Sequence, residues 1–372
     1  MTNKHYSKAQ RALSGLLAAL MVLTLTVSAF AADMSDFTDI SGHWAYDALE
    51  WAVDNGVLEG VSEHSMAPND HLTRAQMAAM TSRLYGTYKC AEISQYTDTA
   101  PESWYYSYIA QAVNMGSFTG YSQHRMRPGD NITREQAMTI LARMICLPEA
   151  EQETLSGFSD RGDVASWAYD AVRGMVEREY VNGYHDGQLK PKNEITRAEM
   201  AQIMSNMFQS VRESGELTGS FQDMVLVRGP VNIHDAVFEG DLIIANGLRE
   251  RKLDLNNVTV KGRLIVWGGS EIHVTGNSRV AGVVTPRNDG PVKVIFDGAA
   301  SELSEQSCTI VYPESMNKDN KVTFTEKTVP EVPKPAIDFT LPDHLYVGET
   351  LEVKPTLTNA DTVTWSLTRA GL

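Results

Sequence analysis

The chain has 372 residues, of which 42% are hydrophobic, so it is long enough for two or three domains and has a globular rather than a disordered composition. Its formal net charge of −15 at pH 7 argues against a nucleic-acid partner, because binding to phosphates requires a basic surface. Any site for an anion on so acidic a chain must therefore be local.

Residues 1–31 have the features of a secretory signal peptide. Three basic residues precede an apolar run from about residue 13 to residue 27, and Ala29-Phe30-Ala31 then forms a small-x-small cleavage site. The run is too short for a stable span, and no other stretch approaches the ~20 apolar residues that cross a bilayer. We expect an exported mature chain with a net charge of −18 and no membrane span. A retained N-terminal anchor is the alternative.

Three near-copies of one pentapeptide, at residues 72–76, 132–136 and 195–199, indicate an internal repeat. Their arginines are 60 and 63 residues apart, and a tryptophan stands thirty residues before each arginine. Each copy also begins with an aromatic-x-Asp triplet and has a glycine in its middle. So many matches in one register make chance similarity improbable. The positions that recur are Trp44, Trp104 and Trp167, Gly60, Gly120 and Gly183, and Arg74, Arg134 and Arg197.

Each pentapeptide predicts the start of a helix. Its threonine serves as the N-cap, and a glutamine or glutamate three residues later completes a capping box. Another helix is expected after each tryptophan, and Gly56 and Gly116 are expected to end the first two of these helices in a left-handed conformation. The third repeat has Glu179 in place of that glycine. Methionines of the second helices are expected to fill a core that all three repeats share.

The repeated arginine falls at the first helical position, where the positive end of the helix dipole disfavours a cation. One explanation is a structural ion pair with the carboxylate at a repeat start, Asp39, Asp98 or Asp160. The other is an anionic ligand, held by the guanidinium beside unpaired helix N–H groups. The tryptophans also have two interpretations: they are more often buried core anchors, but an exposed indole can stack on a sugar ring.

The whole pattern resembles the S-layer homology (SLH) domain, three of which usually stand together in bacterial surface proteins. We expect modules at residues 35–88, 94–148 and 156–210. The resemblance implies an all-α triplet with pseudo-threefold symmetry, which binds secondary cell-wall polysaccharide, often carrying pyruvate ketals, in grooves between the modules. It implies ligand contacts from Arg74, Arg134, Arg197, Trp44, Trp104, Trp167, Gly60, Gly120, Gly183, Tyr121 and Tyr184. Because Val61 replaces the tyrosine in the first repeat and the pentapeptides differ, the grooves are expected to be unequal.

Residues 220–314 change to short β-rich segments. The triplets Phe238-Glu239-Gly240, Val260-Lys261-Gly262 and Val280-Ala281-Gly282 are 22 and 20 residues apart. This spacing favours a short parallel β-solenoid of about four rungs, with an antiparallel sandwich as the rival. Residues 315–336 contain several prolines and predict an extended linker. Residues 337–372 resemble the beginning of an immunoglobulin-like β-sandwich, so the sequence is expected to stop inside a domain.

We find no catalytic or metal-binding sequence motif, and we predict no cofactor and no enzymatic activity in these residues. The cysteines Cys90, Cys146 and Cys308 lack metal-type spacing, and a disulfide between the first two is the less favoured state. The expected function is non-covalent attachment at the cell surface, through binding of an anionic wall polysaccharide, with other surface-layer proteins as further partners. The alternatives are the anchor of a polysaccharide-degrading enzyme whose catalytic domain lies beyond residue 372, and a lattice-forming S-layer protein.

Overall fold

The computed structural model describes residues 34–150, 153–304, 307–311 and 316–325, and two short strands at 336–338 and 356–358. The described residues up to Thr325 belong to one compact unit, and the two short strands after Glu326 belong to another. The predicted signal peptide lies outside the described residues. Among those described, no helix is long and apolar enough to cross a membrane.

Each repeat folds into two α-helices joined by a loop. The bounds are α1 Tyr46–Asp54, α2 Arg74–Tyr85, α3 Tyr106–Asn114, α4 Arg134–Met144, α5 Tyr169–Glu177 and α6 Arg197–Met207. Thr73, Thr133 and Thr196 are the N-caps of the second helices, and a residue three positions later bonds back to each cap N–H, at 2.9, 3.1 and 3.0 Å. The predicted helix starts are therefore confirmed.

The three repeats close into a ring through three backbone hydrogen bonds. The Leu72 N–H donates to the Ile195 carbonyl, the Ile132 N–H to the Leu72 carbonyl, and the Ile195 N–H to the Ile132 carbonyl, each at 2.9 Å. All three residues are fully buried. Every repeat thus donates to one neighbour and accepts from the other, and the buried position is consistent with the aliphatic residue that precedes the threonine in each copy.

The left-handed helix ends are confirmed at Gly56 and Gly116, whose φ angles are +60° and +78°. The third repeat keeps the same backbone without a glycine, because Glu179 has a φ of +58°. A side chain in this region is strained by contact between its Cβ and the backbone. The departure seen in the sequence therefore changes the residue and not the path of the chain.

The β-rich region is a parallel solenoid. The strands of the larger sheet and one short helix, α7, are β1 Ser210–Arg212, β2 Gly215–Phe221, β3 Val225–Val227, β4 Val231–Phe238, β5 Leu242–Ile244, β6 Lys252–Val266, β7 Glu271–Thr275, β8 Arg279–Val284, β9 Lys293–Phe296, α7 Ala299–Ser304, β10 Thr309–Val311 and β11 Lys321–Phe324. Every strand pair in this sheet is parallel. The antiparallel sandwich is therefore the wrong alternative.

The triplet register is also confirmed, because Phe238 pairs with Val260 and Val260 pairs with Val280. Two of the triplet glycines stack closely: a Cβ placed on Gly262 would lie 2.6 Å from the carbonyl carbon of Gly240. Gly282 instead pairs with Arg263 after a register shift. Gly240 and Gly262 thus allow successive rungs to approach at the bend of the solenoid.

One face of the solenoid packs directly on the helices. In β5, Leu242 and Ile244 point into the solenoid core, whereas Ile243 between them belongs to the hydrophobic core of the helical unit. Leu226 of β3 and Ile265 of β6 also belong to the hydrophobic core of the helical unit. A strand that is buried on both faces needs apolar residues at every position. The uninterrupted apolar triplets are therefore the sequence signal of this covered face.

Two arginines of the solenoid bind the C-terminal ends of helices. Arg228 donates through Nη1 to the Arg83 carbonyl at 3.0 Å and through Nη2 to the Asn55 carbonyl at 2.7 Å. Arg263 donates to the carbonyls of Cys146, at 2.5 Å, and of Ile145, at 3.1 Å. These carbonyls lie at helix C-terminal ends and carry the negative end of the helix dipole. The Arg83 carbonyl also accepts from the N–H of its own C-cap, Gly86, at 3.1 Å. The solenoid thus adds donors at the ends of these helices.

A polar cluster joins the chain between the first two repeats to the solenoid. The Glu250 carboxylate lies 2.7 Å from Lys89 Nζ, 2.6 Å from Arg287 Nη2 and 2.9 Å from the Tyr88 hydroxyl. Partial burial alone would raise the pKa of Glu250, but these donors outweigh it and lower the pKa to about 2. The helical and β-rich parts are therefore one packed body, without a separate stem between them.

Cys90, Cys146 and Cys308 are free thiols, so the possible Cys90–Cys146 disulfide is not formed. In the second unit, β12 Ala336–Asp338 and β13 Thr356–Thr358 pair in antiparallel fashion. The rest of the expected immunoglobulin-like portion lies outside the described residues, and that assignment stays a prediction. Of the predicted linker, residues 316–325 are described, and Lys321–Phe324 among them form β11 of the solenoid sheet, paired with β9. Residues 326–335 lie outside the described residues.

Candidate functional site

The repeated arginines are buried and reach from one repeat into the next. Arg74 is 6% exposed; its Nε donates to the Met126 carbonyl at 2.9 Å and its Nη2 to the Thr119 carbonyl at 3.2 Å. Both acceptors belong to the loop of the second repeat. Burial lowers the pKa of the Arg74 guanidinium from its ordinary value. The side chain is thus held rigidly at the boundary between two repeats.

The other two arginines follow the same rule. Arg197 donates to the Met66 carbonyl at 2.8 Å and to the Glu59 carbonyl at 2.7 Å, so it reaches the loop of the first repeat. Arg134 donates to the Leu189 carbonyl at 2.9 Å in the third repeat. Because the ring is closed, each arginine has an equivalent loop to bind.

One interpretation of the sequence places unpaired helix N–H groups beside each arginine, where they would help to bind an anion. This prediction is wrong. The Arg74 N–H donates to the Asp130 carbonyl at 2.9 Å, and the Ala75 N–H donates to the Pro128 carbonyl at 3.0 Å. Equivalent bonds occupy the first N–H groups of α4 and α6. These donors are used to join repeats, so only the guanidinium is left to attract an anion.

The expected ion pairs with the carboxylates at the repeat starts are also wrong. Asp39 accepts hydrogen bonds from Ser65 Oγ and from the N–H groups of Met66 and Ala67, and Asp98 binds its own loop in the same way. Burial would raise the pKa of Asp39, but these bonds outweigh it and lower that pKa. Within the described residues, no ion pair joins the three arginines to Asp39, Asp98 or Asp160.

The three repeat tryptophans are exposed, so their preferred interpretation as buried core anchors is wrong. Trp44 is 62% exposed, Trp104 is 59% exposed and Trp167 is 56% exposed. An exposed indole costs free energy in a monomer unless a ligand or partner covers it. The same side chain is exposed in all three repeats, and its role in ligand binding stays a prediction.

A groove at the second repeat, the repeat-2 groove, brings together residues from all three repeats. A cavity of about 200 Å³ is lined by Arg74 of the first repeat, Tyr121 and Gly120 of the second, and Trp167 of the third. The Arg74 guanidinium lies 4.6 Å from the centroid of the Tyr121 ring, a cation–π distance. Within the described residues, Nη1 of Arg74 has no bond to the protein.

The groove at the third repeat, the repeat-3 groove, has the same plan and different electrostatics. Its cavity of about 520 Å³ is lined by Arg134, Tyr184, Gly183 and Trp44, again from three repeats. Arg134 Nη1 lies 3.5 Å from a Glu199 carboxylate oxygen, and the Tyr184 hydroxyl donates to the same carboxylate. Burial, followed by this hydrogen bond, raises the pKa of Tyr184. The equivalent position in the repeat-2 groove is a neutral glutamine, Gln136, so only the repeat-3 groove neutralises its arginine.

The first repeat lacks the tyrosine, because Val61 stands there and is 53% exposed. Its Glu59 carbonyl accepts from Arg197, and its Glu59 carboxylate lies 2.9 Å from Arg83 Nη2. Arg83 in turn lies over the Tyr108 ring, which packs edge-on against Trp104. Trp104 and Arg197 are therefore linked through three intermediate residues, the last of them through its backbone carbonyl. The first repeat thus differs from the other two, as expected.

Close packing explains the repeated glycines. A Cβ on Gly60 would lie 2.5 Å from the Phe37 ring, and one on Gly120 would lie 2.2 Å from the Tyr96 ring. Gly183 meets the ring of Phe158 in the same way, at 2.5 Å. These rings are the aromatic residues at the repeat starts. The glycines thus keep the groove loops against the repeat, and a direct ligand contact from them stays a prediction.

Arg143 is a groove residue that the sequence analysis missed. It is exposed, it lines the repeat-2 groove, and it lies nine residues after Arg134 on α4. Arg83 occupies the equivalent place on α2, and Asn206 occupies it on α6. A comparison of these three helix positions would have revealed a charge that differs between grooves.

Comparison with known proteins gives a family and its members. A model of the S-layer homology domain matches residues 36–78, 95–138 and 157–201. Over 83% of its own length, the chain is 26% identical to the Surface-layer 125 kDa protein of Lysinibacillus sphaericus. Over 77% of its own length, it is 24% identical to an S-layer protein of Bacillus licheniformis. It is 30% identical to an amylopullulanase of Thermoanaerobacterium thermosulfurigenes over 46% of its length.

The chain spans 27%, 31% and 9% of the length of these three relatives, so their whole-protein activities do not transfer to it directly. The match to the domain model is independent of those activities. It covers the three arginines and the three tryptophans, and in each repeat it includes the helix start that closes the ring. The helical unit described above therefore consists of three S-layer homology domains, carried by a cell-surface protein.

Proposed function

We propose that the three S-layer homology domains anchor the chain non-covalently to the cell wall by binding an anionic secondary wall polysaccharide. The observation that carries this proposal is the meeting of an exposed indole with a guanidinium and a tyrosine from different repeats. An indole face stacks on a pyranose ring, and a guanidinium binds a carboxylate such as that of a pyruvate ketal. Each groove thus has one group for the sugar and one for its charge.

Preorganisation would strengthen this recognition. Backbone carbonyls fix Nε and Nη2 of Arg74 and of Arg197, so neither guanidinium loses much side-chain entropy when a ligand binds. Nη1 is the nitrogen left to meet a carboxylate. The arginines therefore combine a structural role between repeats with a binding role.

The grooves differ in the charge that they offer. Glu199 offsets the charge of Arg134 in the repeat-3 groove, whereas Gln136 leaves the repeat-2 groove positive. We expect the repeat-2 groove to bind the most acidic part of the polymer most tightly. Several grooves on one rigid body then raise the overall avidity beyond that of any single groove.

The test is co-sedimentation of residues 32–372 with purified cell walls, before and after hydrofluoric acid removes the secondary polymer. A variant with Trp44→Ala, Trp104→Ala and Trp167→Ala is expected to lose sedimentation and keep its circular dichroism, because all three side chains are exposed. The matched Trp→Phe variant retains a flat ring and should bind with intermediate strength. Unchanged sedimentation of the alanine variant, or binding that survives extraction, would refute the proposal.

Alanine variants of the three arginines are a second test. Their loss of binding would be harder to interpret, because these side chains also join neighbouring repeats. The chain should not be cut near residue 215 for either test. Such a fragment would lose Leu226, Ile243 and Ile265, which complete the hydrophobic core of the helical unit.

A lattice-forming S-layer protein is the second candidate. The matches to S-layer proteins extend over 83% and 77% of the chain and therefore enter the β-rich region, whereas the amylopullulanase match covers 46%. This difference favours a surface-layer protein over the anchor of a hydrolase. A purified chain that stays monomeric in light scattering, with and without calcium, would count against lattice formation. The gene sequence beyond Leu372 decides the enzyme alternative, because a catalytic domain there would establish it.

A further inference from the structure

The repeat-2 groove adjoins a cleft between the second repeat and the solenoid. This cleft, of about 420 Å³, is lined by Leu147 of the helical unit and by Trp267 and Pro286 of the solenoid. Ser117 and Arg143 line both the groove and the cleft, so the two spaces adjoin each other. The solenoid thus forms one wall of the space next to the groove.

Arg143 lies where the groove and the cleft meet, and its charge is unpaired among the described residues. In the part of the chain that the structure describes, its side chain makes no hydrogen bond or ion pair with the protein. The equivalent Arg83 is bound by the Glu59 carboxylate at 2.9 Å. The equivalent Asn206 is neutral and donates to the Tyr180 carbonyl at 3.2 Å. Only the second of these three helices therefore presents an unpaired cation.

The solenoid also places a neutral polar group beside Gly116, one of the residues that line the cleft. The Asn288 amide nitrogen lies 3.7 Å from the position that a Cβ on Gly116 would occupy, and Gly116 lines the cleft. Among the described residues, that amide has no hydrogen-bond partner. Trp267 is 6% exposed, and its Nε1 donates to the Met144 carbonyl at 2.8 Å, so it forms the floor of the cleft.

The repeat-3 groove also adjoins a cleft that the solenoid lines. Its cleft, of about 360 Å³, shares Tyr180 and Asn206 with the groove. Its lining includes Asp223 and Asp241 of the solenoid and Arg178 of the helical unit. Asp241 is paired with Arg263, and Arg178 lies 3.5 Å from a Glu177 carboxylate oxygen. Among the described residues, both of these arginines therefore have carboxylate partners, unlike Arg143 at the repeat-2 groove.

We propose that the repeat-2 groove and its cleft form one site for two consecutive acidic sugar units of the wall polysaccharide. The first unit stacks on Trp167, and Arg143 binds the carboxylate of the second, with the Asn288 amide as a further donor. The groove, at about 200 Å³, is smaller than the about 300–1,000 Å³ of ordinary ligand pockets, whereas the adjoining cleft, at about 420 Å³, lies within that range. This inference rests on the proposed function and adds a subsite to which a region outside the S-layer homology domains contributes.

The probe is acidic oligosaccharide released from purified walls and separated into fractions with one carboxylate and with two. Binding to the chain is measured by titration calorimetry. Arg143→Gln is expected to weaken binding of the two-carboxylate fraction about tenfold or more, because it removes a charge-assisted hydrogen bond. It should change binding of the one-carboxylate fraction less than about twofold. Asn288→Asp, on the solenoid, should weaken the two-carboxylate fraction in the same direction.

Arg83→Gln is the matched control, because its side chain is already paired, and it should leave the tightest site unchanged. If Arg143→Gln and Asn288→Asp both bind as the unmodified chain does, while the triple tryptophan variant fails to bind, the second subsite is refuted and the proposed function stands. If the triple tryptophan variant also binds normally, the proposed function fails and this inference fails with it. Circular dichroism confirms that each variant is folded.

Discussion

Replacing Arg228 tests whether the solenoid stabilises the helical unit. The side chain is 10% exposed and makes two charge-assisted hydrogen bonds, to the carbonyls of Arg83 and Asn55. Each such bond has a net value of about 1.5–3 kcal/mol, and water can replace part of what Arg228→Ala removes. The ion pair with Glu213 adds little, because that carboxylate is 64% exposed. We therefore expect a loss of about 3–5 kcal/mol in the free energy of unfolding.

Arg212→Ala is the matched control, since Arg212 lies one rung away and bonds to the neighbouring Val211 carbonyl at 3.3 Å. Its loss should be within about 0.5 kcal/mol. Urea unfolding followed by far-ultraviolet circular dichroism and by tryptophan fluorescence measures both variants. If Arg228→Ala loses no more than Arg212→Ala, the helix ends do not depend on the solenoid and the reasoning is refuted.

Three further predictions concern packing, backbone strain and pH. Gly120→Ala should cost about 1–3 kcal/mol in urea unfolding, because its Cβ would meet the Tyr96 ring, while Gly129→Ala, with open space around it, should be neutral within about 0.5 kcal/mol. Glu179→Gly should gain up to about 1 kcal/mol in the same assay, and a clear loss would contradict left-handed strain at φ +58°. The folded-state pKa of Glu250 is about 2, below its usual value, so its stabilisation is present above the unfolded pKa and is lost as pH falls toward 2. Thermal melts should therefore show a shallower loss of stability in acid for Glu250→Gln, and equal slopes would contradict that assignment.

Local sequence patterns were sufficient for much of the fold. The capping boxes at Thr73 and Thr196 depend on residues three positions apart, so the helix starts could be predicted directly. The solenoid register could be predicted because one turn of about twenty residues places Phe238, Val260 and Val280 above one another. In both cases the interacting residues stand at a fixed separation in the sequence.

The sequence predicted several of the residues that line the two grooves, such as Arg74 and Trp167, but not their arrangement. The partner of Arg74 lies in the next repeat, and that choice depends on ring closure, which no local pattern records. The exposure of Trp167 likewise depends on where the third repeat meets the second. The covered strand at residues 242–244 was visible as an apolar run, but the run does not say what covers it. Arg143 has no repeated signature at all, because its role arises from its difference from Asn206.

The ring of hydrogen bonds through Leu72, Ile132 and Ile195 has a consequence for how such a chain can evolve. A linear array can gain or lose one unit at its end, since each unit needs only its neighbours. Here the first unit is also a neighbour of the last, so an added or deleted unit leaves a buried N–H and a buried carbonyl without partners. Duplication of a single unit is therefore disfavoured, and stable growth requires a second complete set of three.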